Sequence, residues 1–248
     1  MREAIAPQFG EKFLATASNF YRHTVEMLFH EWWASASDET ISEYCAAIER
    51  NPEHAALVAE GWLAPDFSLA RLRDCPAGSV GEALYHFIAD HDLAEHIAES
   101  YRALHRDFDA GGALERMPPA MRYKVLRGHQ THDLHHVLTG CPPTPLGELA
   151  IQAFELAQMD YPYAAMWIAT VTTHFTFVDP KLIKPAMDAI VDGWQLGRNS
   201  KSIQFIRLED LYDEPLDAVR ERFGLLRPSY PDYATPSELT PDLLARAA

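Results

Sequence analysis

Cysteine is scarce in this chain: Cys45, Cys75 and Cys141 lie far apart in 248 residues, with no C-x-x-C pair. An odd, scattered set excludes a disulfide framework and fits free thiols in a reducing compartment. Positive charge is also scarce, with 21 Lys and Arg against 36 Asp and Glu and a formal net charge of -15. Such a surface repels phosphate backbones, so nucleic acid is not an expected partner, and charge alone gives no hold on anionic lipid. Long apolar runs are missing as well. The richest stretch, Tyr163 to Val178 (YAAMWIATVTTHFTFV), falls short of the ~18 residues that suggest a membrane span. Met1 to Gly10 lack the apolar core of a signal peptide, which leads to an expected cytoplasmic location. Repeats, low-complexity tracts and linkers are absent, so one domain over residues 1–248 is expected.

What remains reads as helices punctuated by proline and glycine. Thr16 to Trp33 is apolar at helical spacing. Ser37 or Asp38 caps a helix to about Arg50, and Pro52 opens a short one that ends near Gly61. Ser79 and Glu82 form an S-x-x-E capping pattern ahead of Leu84, Phe87 and Ile88, and Leu93 to His105 continues the periodicity. Pro118-Pro119 opens a helix that runs to Gly140. Thr144-Pro145 starts the next, and Asp179-Pro180 starts another with Leu182, Ala186, Ile190 and Trp194 in one stripe. A last helix runs from Pro215 to Gly224, followed by an irregular, proline-rich tail over residues 228–248. Ser202 to Leu208 alternates and reads as a short strand or extended segment.

Chemistry concentrates in His132-Asp133-Leu134-His135-His136 and in Glu148. His132 and His136 are four apart, so on a helix they lie one turn apart on one face, with Asp133 inside the same ~100° arc. Gly140 to Pro143 can fold the chain back, which lets Glu148 on the next helix face the same point. Two imidazoles with carboxylates suit one divalent metal ion, zinc first, with iron, manganese or cobalt as alternatives. His129 and His135 have a supporting or solvent-facing role as the default. Two other readings use the same residues. A metalloprotease would need H-E-x-x-H, and Asp is one methylene too short for that base. A phosphohydrolase built on a His-Asp pair, His132-Asp133 or His91-Asp92, leaves His136 and the spacing to Glu148 unexplained.

The run THDLHHVLTG followed by CPPTPLGELAIQAFE resembles the signature of the ubiquinone (coenzyme Q) biosynthesis protein 4 family: H-D-x-x-H, eleven residues, then Glu. CPAGSVGEALYHFIADH upstream and GWQLGRNSK and RLEDLYDEPLDAVRERFGL downstream look like further blocks of that family, over about residues 75–227. Position 135 carries His where the family usually has an aromatic residue, and Cys141 stands where an aliphatic is common. The resemblance implies an all-α, single-domain irregular helical bundle. It would hold a metal site between two consecutive helices and an apolar lipid channel or surface. It implies His132, Asp133, His136 and Glu148 as both metal ligands and catalytic residues, one carboxylate serving as base or orienting group. The implied substrate is a polyprenylated benzoate or quinone intermediate, and the implied step is oxidative decarboxylation with hydroxylation of the same carbon. The alternative is a non-catalytic prenyl-lipid scaffold with a structural metal that organises the other ubiquinone biosynthesis enzymes.

A polyprenyl substrate calls for an apolar lining, for which Phe154, Trp167, Phe175, Phe177 and Trp194 are the candidates beside ordinary core packing. The apolar stretch around Trp167 could form a tunnel wall, a homodimer face or a surface that dips into a membrane, peripherally on the inner face of the cell membrane. Arg198 and Lys201 form a small basic spot that fits a solvated helix end first and a holder of a carboxylate or phosphate group second.

Overall fold

The computed structural model describes residues 5–91 apart from 21, 24, 66 and 67, residues 117–229, and the single positions 93, 106 and 233. In chain order the helices are α1 (Pro7–Ser18), α2 (Val25–Ser35), α3 (Asp38–Glu49), α4 (Pro52–Glu60), α5 (Leu69–Arg73), α6 (Val80–Asp90), α7 (Pro119–Thr139), α8 (Pro145–Gln158), α9 (Pro162–Val178), α10 (Ile183–Asn199) and α11 (Leu216–Phe223). Two 3-10 turns, Pro180–Leu182 and Leu208–Leu211, complete the set. The fold is all-α, and among the described residues the β structure is one isolated bridge between Ser79 and Pro215. Proline stands in the first turn of α1, α4, α7, α8 and α9, where its fixed φ suits the helix and its missing N–H is no loss. The expected segment Leu93 to His105 lies outside the described residues, apart from position 93.

The chain divides into two compact units, one of residues 1–44, 141–198 and 231–248 and the other of residues 45–140 and 199–230. In the first unit, α9 packs on α1, α2 and α8. Its core holds Leu149, Ala150, Ile151, Val171, Phe175, Leu182, Ala186 and Ala189. The single helix expected from Thr16 to Trp33 is two helices. Asn19 leaves α1 at φ -155°, and its side chain accepts a hydrogen bond from the Arg22 N–H at 3.1 Å. An Asn side chain competes for backbone groups and favours such breaks.

Of the expected stripe, Leu182 and Ala186 are buried and Ile190 packs against the core, but Trp194 does not join them. Its inward residues are Ala186, Ala189, Gly193 and Gly197, while Trp194 is exposed. The reason is close approach to α8. A Cβ on Gly193 would lie 2.0 Å from the Ala150 carbonyl oxygen, and one on Gly197 would lie 2.6 Å from that of Phe154.

In the second unit, α7 packs on α4, α6 and α11. The start of α6 is pinned: Val80 and Gly81 donate N–H bonds to the carbonyls of Glu214 (3.0 Å) and Tyr212 (2.9 Å), and Ser79 Oγ accepts from the Glu82 N–H (3.2 Å). These bonds satisfy amides that a helix start leaves open. The strand expected over Ser202 to Leu208 is instead a turn that runs into the 3-10 segment. Ile203, Gln204 and Phe205 are buried in succession, so no alternation of faces survives, and Phe205 takes a left-handed φ of 54°.

Candidate metal centre

Helix α7 is polar in composition yet buried on most of its surface. Lys124, Arg127, Thr131, His135 and His136 are all buried on it. Buried polar groups need partners, and the neighbouring elements supply them. Arg127 is 1% exposed and grips Glu209 with both terminal nitrogens at 2.6 Å, and its Nη2 also donates to the Ile206 carbonyl at 2.7 Å. Its guanidinium lies 4.9 Å from the centre of the Trp62 ring, and Arg207 lies 4.7 Å from the same ring. Gln130 clamps Ala64 through both amide atoms, each at 3.0 Å. Helix α7 is thereby fixed in register over its middle turns.

Its C-terminal end is fixed too. Gly140 takes φ 72°, and its N–H closes on the His136 carbonyl at 2.8 Å. Arg220 donates from Nη2 to the Val137 carbonyl (2.8 Å) and from Nε to the Leu138 carbonyl (3.2 Å). A cation on the last carbonyls of a helix complements its dipole.

Within this frame His132 and His136 meet. Their Nε2 atoms are 3.2 Å apart, with ring centroids at 4.7 Å and ring planes at 87°. Two nitrogens bound at about 2.0–2.1 Å to one tetrahedral zinc stand about 3.3–3.4 Å apart, so the pair fits one ion with little adjustment. His136 is 1% exposed and stacks on Phe87 at 5.3 Å and 23°, while His132 is half-buried. Phe87 lies next to His91, whose Nδ1 meets the Phe87 carbonyl at 2.7 Å.

The remaining expected residues fall as follows. Asp133 is half-buried on α7, and its side chain makes no hydrogen bond or ion pair among the described residues. His135 is fully buried, and its carbonyl accepts from Thr139 Oγ1 at 2.7 Å. Glu148 stands half-buried in the first turn of α8, where a carboxylate complements the helix dipole. That turn is tight. Thr144 Oγ1 accepts from the Gly147 N–H at 3.1 Å, and a Cβ on Gly147 would lie 1.9 Å from the Pro142 carbonyl oxygen. The five apolar candidates divide between core and surface. Phe154 and Phe175 are buried, Trp167 is partly buried against the core, Phe177 is 83% exposed and Trp194 is 44% exposed.

Sequence reasoning missed Lys124, Arg127, Gln204 and Glu209. No local signal marks them: positions 124 and 127 are three apart and share one helix face, as an exposed cation pair would.

No helix among the described residues is long and apolar enough to cross a membrane. Residues 64–229 match the family model described as "Coenzyme Q (ubiquinone) biosynthesis protein Coq4". The mitochondrial ubiquinone biosynthesis protein COQ4 homolog of Bos taurus is 24% identical over 213 residues, which is 84% of this chain and 73% of that protein. The Mus musculus counterpart is 26% identical over 220 residues, 85% of this chain and 73% of its own. The crystal structure of a presumed ubiquinone biosynthesis protein from Nostoc punctiforme PCC 73102 superposes with a TM-score of 0.67 at 21% identity, over 88% of this chain and 95% of that one, and so shares the fold. With the match spanning most of the chain and containing both histidines and Glu148, this protein belongs to the coenzyme Q (ubiquinone) biosynthesis protein Coq4 family.

Proposed function

We propose that this protein catalyses a step of ubiquinone biosynthesis at a divalent-metal centre formed by His132, His136 and Glu148, with Asp133 as the base or orienting carboxylate beside it. The step is the oxidative decarboxylation of a polyprenylated benzoate ring of the 4-hydroxy-3-methoxy-5-polyprenylbenzoate type, whose 4-hydroxyl lies para to the carboxylate. The observation that carries the reading is the His132–His136 pair, whose Nε2 atoms converge to 3.2 Å. Glu148 supports it through the sequence: eleven residues separate it from His136, the spacing of the family signature. Two imidazoles and a carboxylate are a donor set for zinc, iron, manganese or cobalt, and three protein ligands leave a position for substrate.

When bound, such an ion supplies a Lewis acid that holds a carboxylate and stabilises charge as carbon dioxide leaves. In the reaction the bond from ring carbon to carboxylate breaks and carbon dioxide leaves, a hydroxyl from water takes the vacated position while the water's other proton goes to solvent, and an electron pair passes to dioxygen or another acceptor. The chain's own residues bind and orient. Phe87 keeps the His136 ring from turning, and the capped end of α7 holds both imidazoles in one direction. Exposed Phe177 and Trp194 offer apolar surface to a lipid interface where a polyprenyl tail would reside.

The test is complementation of a strain that lacks its own family member, by the wild type and by Glu148→Ala, with mass spectrometry of the ring intermediates. Rescue by the wild type, with accumulation of the carboxylated polyprenyl precursor in Glu148→Ala, is the expected result. Full rescue by Glu148→Ala removes the ion from the chemistry and leaves the scaffold role.

A further inference from the structure

One cluster in the second unit has no part in the metal centre. Lys124 is 3% exposed, and its Nζ donates to Gln204 Oε1 at 2.9 Å. An ammonium only donates, so the amide oxygen must face it, and the amide nitrogen of Gln204 is left as a second donor. Among the described residues that nitrogen is buried without a hydrogen-bond partner, which leaves it a donor for a bound group. Gln204 is also held firmly. Its own N–H donates to Ser202 Oγ at 3.2 Å. The next residue, Phe205, accepts a left-handed φ of 54° while its ring packs against Tyr123 at 5.4 Å and His54 at 4.8 Å. A bulky residue in that region is strained, and such strain persists only where the surroundings over-determine it.

The place of the cluster on α7 gives it a direction. Lys124, Gly128, His132 and His136 follow one another at four-residue steps, the row that forms a continuous ridge on a helix. The Lys124 side chain runs along this row: among the described residues, a Cβ on Gly128 would meet its Nζ at 3.6 Å and its Cε at 4.0 Å. The ammonium therefore stands level with Gly128, and Gly128 places no side chain between it and the histidines. Four residues of helix, about 6 Å, separate that level from His132. This is the span of a benzene ring with oxygen groups at opposite ends.

Resting on the metal reading above, we propose that Lys124 and the Gln204 amide bind the para oxygen of the substrate ring as a phenolate, while the ring's carboxylate faces the His132–His136 centre. The phenol O–H bond breaks, its proton goes to solvent, and the anion accepts from Lys124 Nζ and Gln204 Nε2. An anionic para oxygen raises electron density at the carbon that bears the carboxylate, which is the carbon that must be oxidised.

The test uses the full chain loaded with cobalt(II), with 4-hydroxybenzoate and benzoate as probes. The visible cobalt spectrum reports the histidine centre, ultraviolet difference spectra at neutral pH report phenolate, and calorimetry reports affinity. The wild type is expected to bind 4-hydroxybenzoate as phenolate. Lys124→Met should lose that band and bind it roughly 10- to 100-fold more weakly, the range for a hydrogen bond to a charged group, with cobalt spectrum and benzoate affinity unchanged. Gly128→Ala, which meets only ordinary contacts and favours the helix, should stay at least as stable while weakening 4-hydroxybenzoate. An intact cobalt spectrum with no phenolate band in the wild type, or with the same band and affinity in both variants, overturns the Lys124 assignment alone. A wild type that holds no cobalt, or a His132→Ala that holds it equally well, overturns the metal reading and this proposal with it.

Discussion

Replacing Arg127 by Met tests how α7 is held. Arg127 and Glu209 have side chains 2% and 13% exposed, and their bidentate contact leaves little of either charge to water. Methionine keeps much of the side-chain volume, so the cavity contribution is small and the loss is electrostatic. Glu209 keeps its charge in a largely dry setting, and the Ile206 carbonyl loses its 2.7 Å donor. Removing one member of a buried pair costs about 3–5 kcal/mol, and an orphaned buried acceptor adds about 1–3 kcal/mol, partly overlapping with the first. A loss of about 3–5 kcal/mol is a large share of the roughly 5–15 kcal/mol that a domain holds. Urea unfolding followed by tryptophan fluorescence is the assay, since the Trp62 ring is close to both the Arg127 and Arg207 guanidinium groups, at 4.9 and 4.7 Å, and reports the site directly. The double variant Arg127→Met/Glu209→Met carries the sharper expectation. With both charges removed it should recover at least half of the loss, because an unpaired charge is worse than none. A single variant costing under about 1 kcal/mol, or a double variant no better than the single, refutes the account of α7 as a helix fixed by a desolvated pair.

Two more outcomes follow from the packing and the charges. Gly193→Ala places a methyl 2.0 Å from the Ala150 carbonyl oxygen, so α10 must move off α8. The thermal midpoint should fall, at a cost of about 1–3 kcal/mol or more, although alanine is the better helix former. His54 is buried, and its pKa lies below the ordinary histidine value, first through desolvation and then through Lys124, against an opposing pull from Glu53. A lowered folded-state value means that the unfolded chain takes the proton first. Stability from this group is therefore complete above about pH 6.5 and is lost as pH falls below that toward the folded-state value. Urea midpoints at pH 7.5 and 5.5 should differ less in His54→Phe than in the wild type.

The helical plan was readable because its punctuation is local. Proline at helix starts and glycine at Gly61, Gly140 and Gly224 act through φ preferences that need no tertiary information. The histidine pair was readable for the same reason, since a spacing of four fixes a common face once the helix is granted. Failures came where distant parts of the chain decide the outcome. Residues 202–208 alternate in polarity, yet Gln204 turns inward because Lys124, eighty positions earlier, awaits it. The rest of the buried stripe of α10 was missed because Ala189, Gly193 and Gly197 carry almost no hydrophobic signal, and the value of the two glycines lies in letting the α8 backbone come close. Asn19 could have been read as a break, since Asn at a helix end is a local signal. The five aromatic candidates could not be sorted, because aromatic character alone does not separate core from surface.

The metal content of the purified full chain tests the central claim most directly. Elemental analysis after loading with zinc or cobalt and removal of excess should give about one ion per chain for the wild type, as two converging imidazoles and a carboxylate imply. It should give little for His132→Ala or His136→Ala at unchanged helical content. A wild type that retains no divalent ion, or histidine variants that retain as much as it does, would contradict the account.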